Sequence, residues 1–247
     1  MIDETFRASV KTLFVPEMGT ESTAELLYWL IRTVRPERVL EVGMGYTTPF
    51  LARAVKDNAE AAAAERSLFQ AGTADAELPW PDATFYRRPF EPRLICVDRM
   101  TDPTSSAPQV VAVLEELGLT DSCEVVATDL RDAAEEIRSR FGLVDFAWID
   151  TWDTLAFLRD FWELINPAGG FLAIHYLMSY PEGRAILRYV ESLRARDGNR
   201  LEVTNFREPH KTVQNSLTLI RRVRDYVDAE DLRPDGNSND PIGVLGL

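Results

Sequence analysis

Five short apolar runs, each closing on a polar or acidic residue, alternate with helical patterns between residues 38 and 176. They are RVLEVG, RLICVD ending at Asp98, CEVVATD ending at Asp129, VDFAWID ending at Asp150, and GFLAIHY ending at His175 and Tyr176. Runs this short, apolar throughout rather than at every second residue, suit strands buried on both faces. Between them the periodicity predicts helices over Thr20–Thr33, from about Pro49 to Val55, and over Pro108–Leu117, Arg131–Arg140 and Thr154–Ile165. Strand followed by helix, repeated, builds a parallel sheet covered on both sides. The expectation is therefore one α/β domain with a doubly wound sheet.

The rhythm changes near the end. After a helix expected around Glu182–Arg194, LEVTNF and SLTLIRRV are two strand-like runs joined by REPHKTVQN with no helix between them. Such runs pair as antiparallel neighbours, which brings the sheet to seven strands with the last one antiparallel. The stretch 56–92 reads as an insertion, first an acidic, alanine-rich, helix-like part (DNAEAAAAERSLF), then a part rich in proline and aromatics (LPWPDATFYRRPFEP). The domain is thus expected over 20–224, after an N-terminal segment 1–19 and before a polar tail 225–247.

The formal net charge of −13, with no compensating Lys/Arg block, argues against nucleic-acid and membrane-surface partners. A small neutral or cationic substrate fits better, and a homo-oligomer is compatible with the sequence. No apolar run approaches the roughly 20 residues of a membrane span, and the first twenty residues lack a signal-peptide pattern, so the expected location is cytoplasmic. Cys96 and Cys123 lie in strand-like runs and read as reduced packing residues.

Ligands of an open parallel sheet bind beyond the carboxyl ends of its strands. The first strand ends as LEVGMGYTT, placing Glu41, Gly43, Gly45, Thr47 and Thr48 there. A dinucleotide site would want a third small residue where Thr48 stands, and an acid about 20 residues further on. Asp98, the acid ending the second strand, comes far later. A ligand without phosphate is the better reading.

The acid-x-Gly-x-Gly loop, the acids ending strands two to four, NPAGG before strand five and the closing strand pair together resemble class I S-adenosylmethionine-dependent methyltransferases, a Rossmann-like fold. Residues 20–48 and WIDTWDTLAFLRDFWELINPAGGFLAIHY are most similar to small-molecule O-methyltransferases of the catechol type. The resemblance implies S-adenosyl-L-methionine as cofactor. Glu41, Gly43 and Gly45, with Thr47 and Thr48, would hold its methionine part, Asp98 its ribose hydroxyls and Asp129 its adenine, with Asp150 at the same edge.

Metal-dependent members of that group carry an Asp-Asn pair where this chain has His175 and Tyr176, and a lysine where it has Asp153. A magnesium site is therefore not expected, and a softer divalent metal on Asp150, Asp153 and His175 is the disfavoured alternative. His175 stands instead where a general base is needed, oriented by Asp150. Trp152, Tyr176 and Tyr180 are candidates for an aromatic wall, and His210 for a substrate contact from the last loop. The rival readings are an N-methyltransferase, a nicotinamide oxidoreductase, and a catalytically silent cofactor-binding protein.

Overall fold

The computed structural model describes residues 2–16, 18–72, 83–198 and 200–223. Seven strands form one sheet in the order β3-β2-β1-β4-β5-β7-β6. They are β1 (Arg38–Val42), β2 (Arg93–Asp98), β3 (Cys123–Ala127), β4 (Phe146–Ile149), β5 (Phe171–His175), β6 (Leu201–Arg207) and β7 (Ser216–Arg222). The first five are parallel, and β7 runs antiparallel to both β5 and β6. The strand order reverses between β1 and β4, so the crevice above those two strands is the topological switch point where a ligand is expected.

Helices cover both faces. Against one lie α1 (Glu4–Val10), α2 (Glu21–Val34), α3 (Thr48–Gln70) and α5 (Ala107–Glu116); against the other lie α6 (Leu130–Phe141), α7 (Thr154–Asp160) and α8 (Pro181–Arg196). A short α4 (Ala83–Tyr86) precedes β2. Strand side chains alternate between the two cores: Leu40, Val42, Ile95, Ala147 and Ile174 pack toward α6–α8, whereas Val39, Leu94, Phe146 and Ala173 pack toward α1–α3 and α5. The same alternation carries Glu41, Cys96, Trp148 and His175 to the α2/α3 face, near the carboxyl ends of their strands. Three ionisable groups, Glu41, Cys96 and His175, are thereby buried in one layer.

The expected helix after the first strand is longer than its periodicity indicated. Pro49 opens α3 at its first turn and the alanine-rich segment continues it without a break to Gln70, so the first part of the expected insertion is helical extension. Residues 73–82 and 224–247, which hold part of the expected insertion and the expected tail, lie outside the described residues. The helix expected over Thr154–Ile165 ends at Asp160 and finishes in a 3₁₀ turn over Trp162–Leu164.

Candidate functional site

A crevice of about 440 Å³ opens at the carboxyl ends of β1, β2 and β4, within the size range of small-molecule sites. Its floor is the turn after β1. Gly43 has φ +86°, and a Cβ there would sit 2.7 Å from Thr151 Cγ2, so only glycine fits this backbone and this spacing. The Met44 N–H donates to Asp98 Oδ2 at 2.9 Å, and Ser105 Oγ donates to Asp98 Oδ1 at 2.6 Å. Ser106 Oγ donates to the Met44 carbonyl at 2.7 Å. The half-buried Asp98 carboxylate thus ties the β1 turn to the 99–106 loop and keeps further lone pairs on the crevice side.

Glu41 is fully buried under this turn. Its Oε1 accepts from Thr47 Oγ1 at 2.8 Å and its Oε2 from the Cys96 thiol at 3.1 Å. Trp148 Nε1 in turn donates to Thr47 Oγ1 at 3.0 Å. Burial pushes the Glu41 carboxyl up to about 7, opposed in part by the hydroxyl and thiol hydrogen bonds it accepts. Thr48 accepts from the Gly45 N–H at 2.9 Å. Glu41, Thr47 and Thr48 therefore shape the turn from below, and Gly43 and Met44 present it to the crevice.

Asp129 caps α6, accepting from the Arg131 N–H at 3.0 Å, and lies 3.6 Å from Arg99. Its neighbours Thr128 and Leu130 line the crevice wall. Asp150 and Trp152 line the opposite side, with Asp153 3.6 Å from Arg131. Residues 99–106 contribute Arg99, Asp102, Thr104, Ser105 and Ser106, which sequence reasoning did not single out. The polar run RMTDPTSS directly after Asp98 was the available signal.

His175 is buried completely, deeper than its place at a strand end implied. Its Nδ1 lies 2.8 Å from Asp150 Oδ1. An ionised carboxylate only accepts, so Nδ1 is the donor in this contact. Nε2 is buried without a hydrogen-bond partner among the described residues. Tyr176 follows with φ +51°, a left-handed conformation rare for a side chain of that size. Burial, then the Asp150 charge, raises its phenol well above the usual range.

Trp152, Tyr176 and Tyr180 come together as an aromatic cluster, with ring centroids 5.1, 5.3 and 5.7 Å apart. Trp152 is the exposed member, 68% accessible, and faces the crevice. His210 goes elsewhere: its side chain is 69% exposed and lies 3.6 Å from Glu208, away from the crevice lining. Among the described residues no group of three His, Cys, Asp or Glu side chains is gathered as a metal ion would require. With Asp150 on His175 and Asp153 turned to Arg131, the donor set does not fit a metal centre.

No protein-family model matches the sequence, and a search of curated proteins finds no match. Solved structures do match. TomG from Streptomyces achromogenes, an O-methyltransferase of tomaymycin synthesis crystallised with its methyl donor, superposes with a TM-score of 0.61 at 17% identity, covering 91% of this chain and 92% of that one. The class I methyltransferase fold is this chain's fold. An O-methyltransferase from Bacillus cereus in complex with S-adenosylhomocysteine gives a TM-score of 0.62 at 16% identity over 91% and 92% of the two chains. An rRNA methylase from Streptococcus thermophilus gives 0.52 at 14% identity over 85% and 100%. The same architecture thus serves small-molecule and RNA methylation, so the acceptor has to be argued from the site.

Proposed function

We propose that this chain is an S-adenosylmethionine-dependent methyltransferase acting on the hydroxyl of a small molecule. The observation that carries the reading is a single crevice in which the Gly43 turn and the Asp98 carboxylate lie beside Asp150, whose other side holds the His175 ring. Asp98 would accept from the ribose diol, because one carboxylate matches two vicinal O–H donors. The Gly43–Gly45 turn, held from below by Glu41, Thr47 and Thr48, would receive the methionine part, and the Thr128–Leu130 wall beside Asp129 the adenine. The bound cofactor supplies a methyl group already activated on a sulfonium.

The crevice carries Asp98, Asp102, Asp150 and Asp153 against Arg99 as its cation. That balance suits a cationic ligand and repels a pyrophosphate, which speaks against a nicotinamide dinucleotide and against RNA as acceptor. Asp150 fixes the His175 tautomer, and Nε2 removes the acceptor proton. Because His175 is wholly covered, the acceptor must reach into buried space, with the Trp152 face guiding a planar group. No step involves a metal.

Methyl-labelled S-adenosylmethionine incubated with the purified full-length chain and a panel of phenols and amines tests this. Label on a phenol, lost in His175→Ala, supports the assignment. Label on amines alone would change the acceptor class, and no transfer to any acceptor would leave cofactor binding without chemistry. Quenching of NADH fluorescence with hydride transfer would overturn the assignment.

A further inference from the structure

The two cysteines are 27 residues apart in sequence, yet the register of β2 on β3 brings Cys96 Sγ to 3.4 Å from Cys123 Sγ. They are not register partners: Cys96 stands opposite Val125 and Cys123 opposite Leu94, so the thiols lean toward each other along a diagonal. Cys123 begins the edge strand and is partly exposed, whereas Cys96 is fully buried. On its far side Cys96 donates to Glu41 Oε2 at 3.1 Å, and Glu41 Oε1 accepts from Thr47 in the turn below the crevice. A chain of contacts therefore runs from the partly exposed Cys123 to the floor of the crevice.

We propose that Cys96 and Cys123 are a reversible redox pair in which Cys123 is oxidised first by a hydroperoxide and Cys96, with Glu41 as its base, closes the disulfide. In the first step the Cys123 sulfur attacks the O–O bond, forming Cys123–SOH and releasing the alcohol, or water when the oxidant is hydrogen peroxide. In the second the Cys96 sulfur attacks that of Cys123. The S–S bond forms, the S–OH bond breaks, and the Cys96 proton, taken up by Glu41 Oε2, ends on the departing hydroxide as water. Two thiols lose two electrons and the peroxide O–O bond gains them.

Two observations support the assignment. An S–S bond is about 2.0 Å, so closure from 3.4 Å is a displacement of roughly 1.4 Å shared by two side chains. Burial raises the Cys96 thiol, so it needs an adjacent base, and Glu41 already holds its hydrogen bond. Closure removes the thiol donor from Glu41 and so loosens Thr47 and the turn. The thiol chemistry stands without the methyl-transfer reading, and only its effect on cofactor affinity rests on it.

The test treats the full-length chain with stoichiometric hydrogen peroxide, then blocks free thiols under denaturing conditions and measures intact mass. Expected are loss of two hydrogens, both cysteines protected, a Cys96–Cys123 linked peptide, and full reversal by dithiothreitol. Cys123→Ser should give no link. In Glu41→Gln, Cys123 sulfenic acid, trapped with dimedone, should accumulate as closure slows about tenfold. Both thiols still free to react, a bridge between two chains only, or Cys123 ending as sulfinic acid would each overturn the proposal. Oxidised chain should also bind S-adenosylmethionine at least threefold more weakly than reduced chain. Equal affinities would sever the thiol pair from the crevice, whereas failure of the reduced chain to bind would count against the proposed function alone.

Discussion

Asp98→Ala should cut S-adenosylmethionine affinity by roughly two orders of magnitude. In the free protein the carboxylate accepts from Met44 N–H at 2.9 Å and from Ser105 Oγ at 2.6 Å, so its position is fixed before any ligand arrives. Hydrogen bonds to a charged group contribute about 1.5–3 kcal/mol each, and the ribose diol would supply up to two. Desolvation of the carboxylate on binding offsets part of that gain, so we take about 3 kcal/mol, close to a hundredfold in Kd. Asp98→Asn keeps an acceptor of the same shape but no charge, and should lose about 1–1.5 kcal/mol, near tenfold. Titration calorimetry on the wild type and both variants gives these numbers, and thermal unfolding checks that the fold survives. Unchanged affinity in the alanine variant, or equal losses in Ala and Asn with an intact fold, would refute the reasoning.

His175→Ala should lower kcat by about 10²–10⁴ with little change in cofactor Kd, and Asp150→Asn should lower it by releasing the tautomer; an unchanged single-turnover rate in either variant would remove the pair as base and orienter. Because burial raises the Glu41 carboxyl from 4.5 to about 7, the folded chain holds a proton there that the unfolded chain has lost. Stability should therefore fall by about 3 kcal/mol as pH rises from about 4.5 through about 7. Urea unfolding across that range should show this component in the wild type and not in Glu41→Gln, and identical pH profiles would sink the assignment. Gly43→Ala, forced into φ +86° with Thr151 Cγ2 at 2.7 Å, should lose at least about 1 kcal/mol of stability and weaken cofactor binding, readable by thermal shift with and without the ligand.

The sheet was legible because buried parallel strands must be short apolar runs, and RVLEV, RLICVD and FAWI cannot be much else between amphipathic helices. The antiparallel end followed from the missing helix between LEVTNF and SLTLIRRV. The alanine-rich part reads as helix-like, but its continuity with the helix from Pro49 was hidden because polyalanine with mixed charges has helix propensity and no apolar stripe to set its limits. At the site, Asp98, Gly43, Asp150 and Trp152 were placed at the crevice by their positions at strand ends alone. The depth of Glu41 and His175 was not foreseen, although alternation carries it: each is two residues from an inward apolar side chain, Val39 or Ala173. The pairing of Cys96 with Cys123 depends on strand register, which one sequence does not specify for parallel neighbours.

A crystal structure of the full-length chain grown with S-adenosylhomocysteine tests the central claim most directly. The account predicts one molecule in the crevice, its ribose hydroxyls within hydrogen-bonding distance of the Asp98 carboxylate and its sulfur on the Asp150 side. Nucleoside density beyond the reach of Asp98, or bound instead in the cavity of about 580 Å³ lined by Arg35, Arg38 and Phe90 at the opposite rim, would contradict it.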